Sequence, residues 1–248
     1  MSDQNPQRLD QLLVSLGLFA SRSRARDAID RGTVKVGGKL VTKPGALFAE
    51  TAEIEIDDPA QDYVSRAALK LTAALDHFRL DPAGHHCLDV GASTGGFTEV
   101  LLERGAAHVT AIDVGHGQMH PRISADPRVT NIEGLNARNL TADDIGHAVT
   151  FLVSDVSFIS LKLALAPALD IAEPGAMAAL LVKPQFEAGR EAIGKGGLLK
   201  DPSSAPSVAA ELERWLTEEM GWKSLGLIAS PIAGGDGNQE YLLAGIKP

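Results

Sequence analysis

The stretch "ALLVKPQFE" (179–187) ends an apolar run on a lysine fixed against a proline. A run that is apolar throughout suits a parallel strand covered on both faces. The carboxyl edge of such a sheet is where ligands bind, so an amine delivered there by Lys183 could orient a hydroxyl and take its proton. A second stretch, "CLDVGASTGGFTEVLL" (87–102), reads as strand, Gly/Ser/Thr loop and helix start. Its loop holds Gly91, Ser93, Thr94, Gly95 and Gly96, followed by Phe97, and the glycines let the backbone approach a ligand. Asp89 stands two residues before the first glycine. Asp113 closes the next strand, where a carboxylate can accept hydrogen bonds from ribose hydroxyls. The spacing is neither G-x-G-x-x-G nor a G-K-[ST] phosphate loop. With acids at 89 and 113 it favours S-adenosylmethionine (SAM), whose methionine end is cationic, over NAD. Asn136, in "EGLNARNL", either contacts adenine or ribose or forms a turn.

A third group is basic. Residues 8–43 carry eight basic and three acidic side chains, a net charge of +5 within a chain of net −9. Such asymmetry implies two modules, the basic one facing an anion. Arg22, Arg24, Arg26 and Arg31 fall on one short helix, with Arg8 before it and Lys35 and Lys39 on the hairpin after it. Such a face makes salt-dependent contacts to phosphates or reads folded RNA by shape. Further on, "FEAGREAIGKGGLLKDPSS" (186–204) carries Arg190 and Lys195 and reads as a mobile loop over the active site, able to reach RNA phosphates.

These residues need elements to hold them. In residues 1–58, Leu9, Leu12, Leu13 and Leu16 form one helical stripe. "SRSRARDAIDRG" is a Ser-capped helix, "TVKVGGKLV" a hairpin around Gly37-Gly38, and "AEIEID" a further strand. Residues 59–63, polar with a proline, form a linker. Residues 64–248 make the second domain, entered by a helix over 63–78. Strands at 86–90, 108–114, 129–133, 150–154 and 177–182 alternate with helices that include 96–104 and 159–170. This pattern calls for a doubly wound sheet. A helix over 203–220 and strands at 222–230 and 239–246 close it with an antiparallel hairpin. The expected class is α/β: a Rossmann-like class I SAM-dependent methyltransferase with a mostly parallel seven-stranded sheet and an antiparallel last strand, preceded by a small α+β domain.

No apolar run reaches the ~18 residues of a spanning helix, and the start is no signal peptide, so the expectation is a cytoplasmic protein without a membrane partner. Cys87 is the only cysteine, most simply a small buried residue, and no Cys/His cluster has metal-ligand spacing. No metal is expected. Enzymes that methylate base amino groups usually end their fourth strand on Asn/Asp-Pro-Pro-Tyr; here it ends "FLVSDVSFIS", with Asp155. No cysteine is placed as a nucleophile for carbon methylation, so the acceptor is an oxygen.

Through "RLDQLL", "SRSRA" and "GTVKVGGK" the first module resembles an S4 RNA-binding domain. The second resembles the FtsJ-like ribose 2′-O-methyltransferases. The whole chain resembles the TlyA family of ribosomal RNA methyltransferases, also called haemolysin-like, in "YVSRAALKL", "LDVGASTGGFTEVLL", "VSDVSFISL", "LVKPQFEAGREAIGKGG" and "GNQEYLL". It departs at Ala67-Ala68, where the family commonly has two glycines. The resemblance implies SAM-dependent methylation of a ribose 2′-hydroxyl, on a cytidine, in ribosomal RNA or ribosomal subunits. It also implies a tetrad of Lys70, Asp155, Lys183 and Glu240. In that reading Lys183 orients and deprotonates the hydroxyl, Asp155 and Glu240 position the lysines, and Lys70 holds the hydroxyl or stabilises alkoxide charge. Burial and a second lysine would lower the Lys183 pKa, and two carboxylates would oppose that. Standing alone, Lys70 reads as a solvated helix lysine, Asp155 as a helix cap and Glu240 as an exposed strand residue. Two other functions compete: a haemolysin, which needs a strongly apolar membrane-seeking segment, and a catalytically silent RNA-binding assembly factor.

Overall fold

Leu9, Leu12 and Leu13 are fully buried in the computed structural model, which describes residues 6–248. They lie on helix Leu9–Ser15 of the first of two units, which divide between Asp62 and Tyr63. The next helix, Arg22–Asp30, starts where Ser21 Oγ accepts from the Arg24 amide at 3.3 Å. Its Ala25, Ala28 and Ile29 pack with Leu9, Leu13 and Phe19. The hairpin of Val34–Val36 and Lys39–Leu40 turns at Gly37 and Gly38, whose φ angles are +56° and +72°. Two successive positive φ angles make the tight turn that matches strand twist, and they favour glycine. Ile54–Ile56 pairs antiparallel along the other edge of Val34–Val36.

The last residues of this unit are tied back onto its second helix. Arg31 donates to both oxygens of Asp58, at 2.7 and 2.8 Å. Arg24 donates to the carbonyls of Ala60 and Gln61, at 3.1 and 3.2 Å.

In the second unit the strands are β1 (His86–Val90), β2 (His108–Asp113), β3 (Val129–Glu133), β4 (Val149–Ser154), β5 (Ala172–Val182), β6 (Lys223–Ala229) and β7 (Tyr241–Ile246). They form one sheet in the order β6-β7-β5-β4-β1-β2-β3. β1 to β5 pair in parallel, and β7 runs antiparallel to both β5 and β6. This is the mostly parallel sheet with an antiparallel last strand that the sequence pattern predicts. Helices α1 (Ala68–Phe78), α2 (Gly96–Glu103), α3 (Leu161–Ile171) and α4 (Ala205–Glu218) cover its faces. Ala178, Leu180 and Val182 pack with α3 and α4, whereas Ala179 and Leu181 pack with α1 and α2. Coverage on both faces is why β5 reads as apolar without alternation. Strand order reverses where β4 meets β1, which puts the ends of these two strands side by side.

Two boundaries differ from expectation by five residues. α1 begins at Ala68 rather than at 63, because Ser65 Oγ accepts from the Ala67 amide (3.2 Å) and Glu99 accepts from the Val64 amide (2.7 Å). A side chain that bonds the nearby backbone offers it an alternative to helix. β5 begins at Ala172 rather than at 177, with a register shift against β4 between Ala172 and Met177.

Candidate active site

Lys183 follows the last residue of β5 and Asp155 follows the last residue of β4, so two adjacent parallel strands deliver them to one edge of the sheet. Lys183 Nζ lies 2.5 Å from Asp155 Oδ1 and donates to Ser157 Oγ at 2.8 Å. Lys70, in the first turn of α1, donates to Glu240 Oε2 at 2.5 Å, and Glu240 sits just before β7. Lys70, Lys183 and Glu240 are all buried. Lys183 and Glu240 line the same cleft, of about 730 Å³. The four residues thus form two ion pairs. Withdrawing charged pairs from water is costly, and functional sites are where folds commonly carry that cost. Asp155 is not the cap of α3. Ser160 Oγ accepts from the Lys162 amide at 3.2 Å, and Glu187 accepts from the Leu161 amide at 2.8 Å.

The glycine loop connects β1 to α2. Asp89 is fully buried; its Oδ2 accepts from Thr98 Oγ1 at 2.7 Å, while Oδ1 has no hydrogen-bond partner. Burial pushes the Asp89 carboxyl up to about 7, and the charges of Asp155 and Asp113 add to the rise. Asp113 spans the loop base: Oδ2 accepts from the Ser93 amide (2.8 Å) and Oδ1 from the Gly115 amide (2.7 Å). Ser93 and Thr94 are exposed. Gly91 has φ +84°, and a Cβ there would lie 2.9 Å from Val156 Cγ1. A Cβ on Gly96 would lie 2.8 Å from Ser65 Cβ, so Gly96 is needed for close packing of the chain on itself. A Cβ on Gly95 would crowd Ile123 at 3.1 Å, and Phe97 is turned into the core. Asn136 Oδ1 accepts from the Arg138 amide at 3.1 Å, which is a turn-forming use of that side chain.

The basic residues of the first unit divide in two. Arg31 is held by Asp27 and Asp58, Arg24 by backbone carbonyls, and Arg8 and Arg22 both by the buried Asp10 at 3.0 Å. Arg26, Lys35 and Lys39 are exposed. In the second unit Arg190 and Lys195 are exposed, and Arg190 lines the cleft.

Ser157, Phe158 and Phe186 are among the cleft residues that escaped the sequence reading. Ser157 bonds Lys183. Phe158 is 91% exposed with φ +65°, a conformation rare for a bulky side chain. Its ring meets Phe186 with centroids 5.1 Å apart. Their only signal was nearness in sequence to Asp155 and Lys183.

Residues 63–247 match the FtsJ-like methyltransferase family. The chain belongs to that family. Residues 7–54 of this FtsJ-like methyltransferase match the S4 domain. Over 95% of its length it is 46% identical to the 16S/23S rRNA (cytidine-2′-O)-methyltransferase TlyA of Mycobacterium tuberculosis, covering 88% of that protein. It is 39% identical to Hemolysin A of Brachyspira hyodysenteriae, over 95% of this chain and 98% of the other. Its fold is similar to that of a hemolysin-like protein from Streptococcus thermophilus, with a TM-score of 0.75 at 38% identity over 98% of this chain and 89% of that one. Among the described residues of the FtsJ-like methyltransferase no helix is long and apolar enough to cross a membrane, and no group of His, Cys, Asp and Glu is arranged to hold a metal ion.

Proposed function

We propose that this protein transfers a methyl group from SAM to a ribose 2′-hydroxyl of ribosomal RNA, on a cytidine, and works in the cytoplasm on RNA or ribosomal subunits. The observation that carries the reading is the pair of buried ion pairs, Lys183–Asp155 and Lys70–Glu240, with Lys183 and Glu240 lining one cleft.

The residues around the glycine loop fit SAM. Asp89 keeps a buried, unpartnered oxygen that a cation would satisfy, and Asp113 holds a carboxylate at the end of β2 for ribose hydroxyls. SAM supplies an electrophilic methyl group on a sulfonium. Lys183 has three N–H donors. Ser157 accepts from one of them and Asp155 lies against the charge; as the neutral amine, Lys183 turns its lone pair to the 2′-hydroxyl. As the new C–O bond forms and the methyl–sulfur bond breaks, the 2′-proton passes to the neutral amine of Lys183, and the resulting ammonium is paired by Asp155. Lys70, fixed by Glu240, stabilises negative charge developing on that oxygen. Phe158 and Phe186 offer a stacking surface for the base, and the exposed Arg26, Lys35 and Lys39 meet RNA phosphates.

The test supplies labelled SAM with naked ribosomal RNA and with each ribosomal subunit, then maps 2′-O-methyl marks for wild type and Lys183→Ala. A mark made only by wild type is expected. SAM binding without label in any RNA would favour a silent RNA-binding factor. Lysis of red cells by purified protein, undiminished in Lys183→Ala, would favour a haemolysin.

A further inference from the structure

We propose that Asn238 is a positioning residue for RNA: it docks the arm 189–199 onto the loop before β7 and thereby holds Arg190 at the cleft. The inference rests on the reading of the cleft as the RNA site. Asn238 is only 5% exposed, and both ends of its amide are used. Nδ2 donates to the Gly197 carbonyl at 2.9 Å, and Oδ1 accepts from the Leu199 amide at 3.1 Å. These bonds join segments some forty residues apart in sequence. A second tie runs beside them, from Gln185 Nε2 to Asp236 Oδ2 at 3.2 Å.

Besides these bonds the arm buries Leu199, which is 6% exposed. The arm's own bonds are local: Gly194 donates to the Leu198 carbonyl at 2.7 Å, the Lys200 amide donates to the Ala192 carbonyl at 2.9 Å, and Ile193 bridges Leu199. These make the arm a small hairpin but do not fix it to the cleft. Gly196 and Gly197, at φ +75° and +81°, turn the chain through a conformation that glycine adopts without strain, and the Gly197 carbonyl meets Asn238. The loop that carries Asn238 is itself closed, with the Gly234 amide donating to the Asn238 carbonyl at 2.9 Å. Arg190 and Ile193 then line the cleft from the arm, and Gly235, Asp236 and Glu240 line it from the loop. A guanidinium in that position suits a phosphate of the bound nucleotide. Asn238 touches no reacting atom in this scheme. It acts through Arg190.

Removing the amide leaves a buried N–H and a carbonyl unpaired, enough to release the arm. In the full chain, Asn238→Ala is expected to raise KM for ribosomal RNA by roughly tenfold, with SAM affinity unchanged. Arg190→Ala should do about the same. The double variant should be no worse than either single, because Arg190 has nothing to lose once its arm is undocked. Hydrogen exchange at the Leu199 amide should quicken in Asn238→Ala and not in Arg190→Ala. Additive losses, an equal loss of SAM affinity, or an unchanged Leu199 amide would each overturn the proposal. Should wild type methylate no ribosomal RNA, the functional reading itself has failed. The positioning role is then decided by Leu199 exchange and by whether the same non-additivity appears in binding a labelled ribosomal RNA fragment.

Discussion

Lys183 Nζ and Asp155 Oδ1 lie 2.5 Å apart at the ends of two adjacent parallel strands, β5 and β4. Sheet pairing therefore fixes the pair, and Pro184 fixes the direction in which the chain leaves. Lys183→Ala should lower kcat by about 10²–10⁴-fold, the usual worth of a positioned acid–base group. SAM affinity should stay as in wild type. Lys183→Arg should not restore the rate, because a guanidinium does not give up its proton. Single-turnover methylation of ribosomal RNA with calorimetric SAM binding checks both; an active Lys183→Arg enzyme would remove Lys183 from the proton path.

The second pair makes a different claim. Lys70 and Glu240 are almost fully buried, so deleting one partner strands the other's charge away from water. Lys70→Met should cost about 3–5 kcal/mol in stability. Lys70→Met with Glu240→Leu should recover most of it and still methylate nothing. Urea unfolding of the three proteins gives the answer, and a cheap single substitution would mean water reaches the pair.

With Asp89 at the proposed SAM site, cofactor binding should depend on pH. Its carboxyl is raised to about 7 from the ordinary 3.8, first by burial and then by the neighbouring Asp155 and Asp113 charges. A raised folded-state pKa means the protonated form is favoured by folding. The contribution is full below pH 3.8 and is lost as pH rises to about 7. Asp89→Asn should therefore gain stability over wild type as pH rises through that window, and lose SAM affinity. In wild type, SAM affinity should climb with pH through about 7, since a cationic ligand favours the ionised carboxylate and binding releases a proton. Thermal melts and calorimetry from pH 5 to 9 would show it; a flat wild-type affinity profile would detach Asp89 from the cofactor.

How legible the chain is depends on how local each signal is. Apolar strands ending on Lys183 and Asp155, and the glycines between Asp89 and Asp113, carry their meaning within a few residues. The fates of Arg24 and Arg31 are not local. Their partners are the carbonyls of Ala60 and Gln61 and the carboxylate of Asp58, roughly thirty residues on, so a run of arginines reads as one cationic face when half of it is structural. Gly96 reads as a cofactor glycine, yet its need for hydrogen in place of a side chain comes from Ser65, on a turn that reads as helix. The arm 189–199 reads as mobile because Gly and charge dominate it; the amide that ties it to the loop before β7 comes from some forty residues away.

Phe158 combines near-total exposure with a positive φ, and neither is favourable for an isolated protein. Such a residue is kept for what it meets, not for what it packs against. Phe158→Gly should leave the fold as stable or raise it by about 1 kcal/mol through relief of the left-handed backbone. The same change should raise KM for RNA, because the base loses half of its stacking surface beside Phe186. Thermal melts and RNA titrations separate these effects, and a destabilised variant with normal KM would make Phe158 a structural residue.

The arginines of the first unit should split by the measurement they affect. Arg26 and Lys35 are exposed, so each alanine substitution should cut the slope of log K against log salt by about 0.7–0.9 for RNA binding while leaving the melting temperature unchanged. Arg31 is bidentate to Asp58, whose side chain is 2% exposed, and it also holds Asp27 at 2.9 Å. Arg31→Ala should instead cost about 3 kcal/mol, because it strands the Asp58 carboxylate and frees the stretch behind it. The carboxylate reports the same tie: burial alone would raise Asp58, but the hydrogen bonds from Arg31 and the Ala60 amide, with the Arg31 and Arg24 charges, together hold it below its ordinary pKa. A lowered pKa contributes stability above the unfolded value of 3.8 and loses it as pH falls toward the folded value, so the penalty of Arg31→Ala should shrink in acid. Salt-dependent RNA titrations and melts between pH 3 and 7 distinguish the two classes. An Arg31→Ala protein that melts like wild type but binds RNA weakly would return Arg31 to the RNA-facing surface.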